Sequence, residues 1–477
     1  LKEICEIKKI FIIIIIKMSI QSMRKFEITP SNKSSADAVF SYKSGTPVID
    51  FTIPSGEMYL NTSDLRFNCK VRVLRANSGI AQNPITAPNN TLQNAAGGGG
   101  TTTNPYYVRV DPKVANVAAI SQINIANNRN QTLELVKDVP RLYASLLGNM
   151  YGWGEFSTYL QMMFGSSAST TRQGNLASQT EVQISMPILA GMFLSGTKIP
   201  LGSNGNGVSG LKLSFTLNPS IAALFGGNAG DNNGSWVELR ECSLSGSFGI
   251  PAGNVLPPID GFGYTAFSSF YNVLNNNDET QSINTALKSV ISVFSNLVPT
   301  ESLSNWSRNG QLTLPPYNGN VAGEVTNYAI LKNGQKYPLR FRVDETENRE
   351  NNQEIFASER QRYFMSAIKP YNLITSTLAG PMSEGQPEQV NDQHFNDPEP
   401  QIITAGANLG TDGGTIYGLG VRMDQLGVSD GADFSNSVFS HRIQSTLDST
   451  TPNSIYTYFL HKNVVSFPSP GMISVVS

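Results

Sequence analysis

Residues 65–73, Leu-Arg-Phe-Asn-Cys-Lys-Val-Arg-Val, decide the fold class. In an extended chain Leu65, Phe67, Cys69, Val71 and Val73 fall on one side and Arg66, Asn68, Lys70 and Arg72 on the other, because successive strand side chains point to opposite faces. One face suits a core and the other suits water, which is the pattern of a half-buried antiparallel strand. Residues 211–217, LKLSFTL, repeat it, with Leu211, Leu213, Phe215 and Leu217 inward and Lys212, Ser214 and Thr216 outward. Residues 236–248, WVELRECSLSGSF, read as a further long strand. From Ser41 onward a period of two prevails over 3.6, and the chain reads as all-β.

Helical signals are few. Val136–Met150 carries Leu142, Leu146, Leu147 and Met150 at helical spacing after Pro140, and Thr158–Phe164 adds a possible turn. Residues 349–368 place Ile355, Phe356, Tyr363 and Ile368 on one side and end before Pro370, as a helix should. Between strands the connections are long and polar: residues 76–103 have no periodicity and many turn formers, a loop length normally reserved for functional surface. Proline clusters and glycines in 251–260 (PAGNVLPPID) mark a boundary between two units of similar size. The division is a segment 1–38 read as an N-terminal extension, a first unit 39–255 and a second unit 256–477. Each unit opens and closes with strands, and no period of 40–50 residues marks a propeller. The expected architecture is two consecutive eight-stranded jelly rolls with long loops and a few short helices.

Composition bounds the function. Across 477 residues, 34 Lys and Arg against 36 Asp and Glu leave a charge of −2, and only 15% of residues are charged. Tight nucleic-acid binding needs many phosphate contacts, and the densest basic run, Lys332 to Arg342, carries four charges; no specific nucleic-acid binding is expected. The apolar run Ile10–Ile16 is too short to span a bilayer. No small-residue cleavage site follows it, so residues 1–17 are read as lying upstream of a true start at Met18 or Met23.

No catalytic, cofactor-binding or metal-ligating residue is expected. Three cysteines, Cys5, Cys69 and Cys242, form no disulfide framework or CxxC pair, and Cys69 and Cys242 read as small buried hydrophobes in strands. The histidines are His394, His441 and His461. His394 lies in an acidic loop with Glu384, Glu388, Asp392, Asp397 and Glu399, which lacks the regular oxygen spacing of a calcium site. Asp231-NNGS lacks the closing Glu of a calcium loop and reads as an Asx turn. There is no GxSxG and no P-loop, and the glycine-rich stretch 406–420 lacks the lysine that phosphate cradling needs. The sequons at Asn61, Asn89, Asn130, Asn233 and Asn305 are what an Asn-, Ser- and Thr-rich chain yields by chance.

One resemblance stands beside this reading. Residues 186–225 followed by 236–248 resemble the closing strands of the first jelly roll in double jelly-roll major capsid proteins. The matching order is Met186-Pro187, Ile199-Pro200-Leu201, Gly210, the alternating strand Leu211 to Leu217, and Val237 to Leu244. Residues 282–297, 330–344 and the helical stretch Glu354 to Ala367 look like the opening of the second jelly roll in capsid proteins of polinton-like viruses, virophages and adintoviruses. The resemblance implies a non-enzymatic major capsid protein in the virion, assembled inside the host cell. It implies homotrimers acting as pseudo-hexameric capsomers in the icosahedral shell of a double-stranded DNA virus, with penton and minor capsid proteins as further partners and no cofactor. Two alternatives are a β-sandwich carbohydrate-binding or glycan-active protein, and a single-stranded RNA virus capsid, which usually carries a strongly basic arm. A glycosidase needs two placed carboxylates, and no marked pair is present.

Overall fold

In a computed structural model of the chain, the structure describes residues 20–35, 38–75, 83–84, 117, 119–150, 182–194, 198–202, 206–219, 235–276, 278–283, 285–300, 325–337, 367, 419–423, 431–435, 439–445, 453–469 and 472–476. The first unit contains β1 (Ile20–Ile28), β2 (Val39–Phe40), β3 (Val48–Ile53), β4 (Met58–Arg75), β5 (Asn83–Pro84), β6 (Ile120–Asn127) and β7 (Thr132–Lys137). It continues with helix α1 (Val139–Met150), β8 (Val182–Pro187), the short helix α2 (Gly191–Leu194), β9 (Ile199–Leu201), β10 (Leu211–Leu217) and β11 (Ser235–Pro251). The second unit holds β12 (Gly261–Leu274), β13 (Asp278–Ser282), β14 (Val290–Pro299), β15 (Val325–Lys332), β16 (Gln335–Tyr337), β17 (Leu419–Arg422), β18 (Phe439–Ser445), β19 (Asn453–Ser469) and β20 (Met472–Val476).

Both units have one topology. In the first, one sheet runs β1-β11-β4, with β8 on the far side of β4, and the facing sheet runs β3-β10-β6-β7. In the second, the sheets run β12-β19-β14-β17 and β13-β18-β15-β16. Numbering the eight principal strands of each unit in chain order gives 1-8-3-6 opposite 2-7-4-5 in both, which is a jelly roll twice over. All pairings are antiparallel. The closing strands β11 and β19 are each 17 residues long and lie between the first and third strands of their barrels. Short β2, β5, β9 and β20 extend the two outer sheets.

The alternation read at 65–71 and 211–217 is observed: Leu65, Phe67, Cys69 and Val71 are buried, as are Leu211, Leu213, Phe215 and Leu217. The two strands belong to facing sheets, and Phe67 stacks on Phe215 at 4.6 Å while Phe51 of β3 meets both rings edge-on. The second barrel has its own core of Val293, Ile330, Phe434, Phe439, Ile443, Ile455 and Phe459. A tight turn joins β15 to β16, with Asn333 at φ 50° and Gly334 at φ 81° between the paired Lys332 and Gln335; two left-handed residues in succession match the strand twist.

The helix expected after Pro140 is α1, with Val136 and Lys137 still in β7. Pro140 sits in the first turn, where its missing N–H costs no bond. β1 lies within the segment 1–38 and pairs with β11 from Ile20 to Ile28, so those nine residues belong to the first barrel's sheet. β11 ends at Pro251 and β12 begins at Gly261. The loop 76–103 apart from β5, the turn at 158–164, the helix at 349–368 apart from buried helical Ala367, and the acidic loop around His394 lie outside the described residues.

Candidate functional site

The most elaborate polar arrangement is the seam where the corner β7–α1 of the first barrel packs on the β12-β19-β14 sheet of the second. β19 reads Ile455-Tyr-Thr-Tyr-Phe-Leu460 and is buried at every one of these positions. Ile455 and Phe459 enter the second barrel's core, while Tyr456, Tyr458 and Leu460 join the larger core that continues from the first barrel. A strand buried on both faces has no reason to alternate. β14 behaves alike: Val293 faces its own barrel, and Phe294 packs on Phe267 and Tyr458 at the seam, with centroids 6.2 and 5.4 Å apart.

Polar bonds fix the register of this contact. Tyr264 Oη donates to the Leu133 carbonyl at 2.7 Å, and Tyr458 Oη donates to the Asp138 carbonyl at 3.0 Å. Asn296 Nδ2 donates to the Arg141 carbonyl and to Ser145 Oγ, each at 3.1 Å. The Arg141 guanidinium lies 5.7 Å from the Tyr456 ring centroid. Gly191 is required at this point: a Cβ there would sit 2.8 Å from the Ala266 Cα, so only glycine lets the two backbones approach so closely.

Glu134 is the centre of the seam. It shares a face of β7 with Val136, and both are buried. Its Oε1 accepts from the backbone N–H of Gly191 at 2.8 Å and of Phe267 at 2.7 Å, and its Oε2 accepts from Met192 N at 2.8 Å. One carboxyl thus joins β7, α2 and β12, tying both barrels together. Burial pushes its pKa up to about 7, against the three N–H donors, which pull it down. Tyr264, beside it, is raised by burial above the ordinary phenol range. A cleft of ≈ 260 Å³ opens next to Glu134 and is bordered also by Lys137, Ser268, His461 and Asn463. His461 Nε2 lies 2.9 Å from Ser268 Oγ. The arrangement suits a protonation-sensitive joint between two bodies: no cysteine borders it, and among the described residues no cluster of three His, Cys, Asp or Glu is placed to hold a metal.

The residues considered from sequence are dispersed. His441 is buried in β18 and His461 in β19, and burial holds them down to about 3 and about 4. Cys69 and Cys242 are buried and reduced, as expected of strand cysteines. Asp231 lies outside the described residues. Asn61 is a strand residue whose amide donates to Asp64 Oδ2 at 2.8 Å. Glu134 was missed by sequence reasoning, because a Glu in a strand reads as outward-facing. The available signal was its phase, two residues from the apolar Val136 in the run TLELVK.

No helix among the described residues is long and apolar enough to cross a membrane. No family model matches the chain, and no curated protein matches it. Solved structures do. VP54 of PBCV-1, as fitted into a cryo-EM reconstruction of the virophage Sputnik, matches with a TM-score of 0.52 at 10% identity, covering 96% of this chain and 97% of that one. The quasi-atomic PBCV-1 virus capsid matches at 0.49 and 9% over 96% and 97% of the chains, and the mavirus major capsid protein at 0.44 and 10% over 95% and 90%. At this identity the likeness to VP54 is one of fold, and it extends over nearly the whole of both chains: the protein is a double jelly roll.

Proposed function

We propose that the chain is a major capsid protein that trimerises into pseudo-hexameric capsomers of an icosahedral double-stranded DNA virus shell. The observation that carries this reading is an asymmetry between two barrels of the same topology. The outer face of the β12-β19-β14 sheet is covered by the first barrel, whereas its counterpart on β1-β11-β4 has no cover within the described chain. A contact of the same kind made by the second barrel of another copy would cover it. Such a head-to-tail interface closes into a ring when the rotation allows, and three two-barrel chains give six barrels. The open face is polar and carries bonds of its own: Asn68 Nδ2 donates to Ser245 Oγ at 2.9 Å, Ser243 Oγ donates to Glu27 at 2.7 Å, and Lys70 pairs with Glu241. Near-neutral net charge suits subunits that pack beside their own copies.

On this reading the protein is a structural component of the virion, assembled inside the host cell, with its own copies, penton proteins and minor capsid proteins as partners and no catalytic role. Light scattering and electron microscopy of purified protein test it. The expected result is a particle of about three times 51.7 kDa with a hexagonal outline. A stable monomer retained on a glycan column would instead favour the carbohydrate-binding alternative and sink the proposal.

A further inference from the structure

Among the described residues, two cysteines meet inside the first barrel. Along the β4–β11 pair, Lys70 faces Arg240 and Asn68 faces Ser243, so Cys69 alone stands opposite two residues, Glu241 and Cys242. This is a bulge, and Glu241 takes φ 46° in it. The extra residue resets the alternation of β11. Glu241 turns outward to pair with Lys70, and Cys242 turns inward, between Leu239 opposite Val71 and Leu244 opposite Phe67. Without the bulge Glu241 would take the inward position. Cys242 therefore faces Cys69 across the strands, with its Sγ 3.8 Å from the Arg240 carbonyl oxygen. Cys242 and Cys69 are 5% and 2% exposed and belong to one core cluster.

We propose that Cys69 and Cys242 form a latent disulfide, closed by a small disulfide oxidant when the protein passes from a reducing to an oxidising medium, and that it locks β11 to β4. Facing cross-strand residues have Cβ atoms ~4.5–5.5 Å apart and a disulfide needs ~3.5–4.5 Å, so closure asks for a small adjustment that a bulge accommodates. The chemistry is thiol–disulfide exchange with glutathione disulfide. One protein thiolate attacks a sulfur of the oxidant, its S–S bond breaks, and one glutathione leaves as thiolate. The second protein thiolate then attacks the mixed disulfide and expels the other glutathione. Two protein thiols are oxidised by two electrons, one glutathione disulfide is reduced to two thiols, and the two protons pass to the leaving groups. Burial holds the Cys69 thiol well above its ordinary range, so exchange in the closed barrel is slow and is fast when β4 and β11 part.

The test uses the full chain in two arms: folded protein incubated with glutathione disulfide, and protein refolded from urea in a mixture of reduced and oxidised glutathione. Each is alkylated under denaturing conditions and mapped by mass spectrometry. The expected result is a peptide joining Cys69 to Cys242, at least in the refolded arm, lost on treatment with dithiothreitol. The thermal midpoint of the cross-linked protein should lie about 5–10 °C above that of the reduced protein. Free Cys69 and Cys242 in both arms overturn the proposal, as does pairing with Cys5 or between chains. A cross-link with no rise in the midpoint overturns its locking role.

Discussion

β4 and β14 hold the same position, third in chain order and beside the closing strand, in barrels of one topology. Their outward faces differ completely. β4 presents Arg66, Asn68 and Lys70, all partly exposed, whereas β14 presents Ser292, Phe294 and Asn296, all buried. The neighbouring closing strands follow suit, with serines and Glu241 on β11 where β19 has Tyr456 and Tyr458. Topology alone therefore does not set the character of a face; what covers it does. Where another part of the same chain covers the sheet, the face is buried throughout and sets aromatic rings between its polar side chains. Where no cover is found among the described residues, the face keeps charges and hydroxyls that bond to one another and to water.

This comparison breaks most visibly at Phe294. Phe294→Ala removes a ring from the seam and should cost about 3–5 kcal/mol in urea unfolding, while Asn68→Ala at the equivalent open face should cost under about 1 kcal/mol. If both cost the same, the covered and open faces are not energetically distinct. Glu134 gives the next largest effect. In the unfolded chain its carboxyl ionises near the ordinary Glu value of 4.5, whereas in the folded chain it holds its proton until about 7. Its contribution is complete below 4.5 and falls as pH rises to 7, by roughly 3 kcal/mol. Stability curves against pH should show this decline in the wild type and not in Glu134→Gln, which also loses about 1–3 kcal/mol because its amide sets an N–H against a backbone N–H.

The two described histidines act in the opposite sense, and both are in the second barrel. Burial depresses them from 6.5 to about 3 and about 4, so their contribution is intact above 6.5 and is lost as pH falls. At pH 5 each should cost about 2 kcal/mol, and replacing either by an uncharged residue should flatten the acid limb of the second barrel's unfolding, read by hydrogen exchange. The smallest effect is expected at Lys70. Its pair with Glu241 is exposed, so Lys70→Glu should change the stability of the isolated chain by no more than about 1 kcal/mol. If the open face is where copies meet, the same change should abolish trimers in light scattering; unaltered trimers would place the interface elsewhere.

Much of the fold was legible because alternation is a local property. Strands β4 and β10 could be read residue by residue, since a face against water must be polar and a face against a core must not. The closing strand β19 was legible as a strand but not as one covered twice, although the unbroken run from Ile455 to Leu460 is the mark of it. Asn333-Gly334 marks its hairpin in the same local way. Glu134 and the Cys69–Cys242 pair were not legible. The carboxyl is defined by three N–H groups, two from α2 and one from β12, far away in sequence, and the thiol pair by a bulge whose presence no composition announces.

By itself, the sequence determined that the chain is all-β, where several core-facing strands lie, and that little charge is available for nucleic acid, because periodicity and composition act through nearest neighbours and bulk surface. Tertiary structure alone decided which sheet has its second face covered, which carboxyl holds its proton near neutrality, and which two cysteines face each other. Those properties depend on desolvation and on partners supplied by the other barrel or by a strand far along the chain, and only packing brings them together.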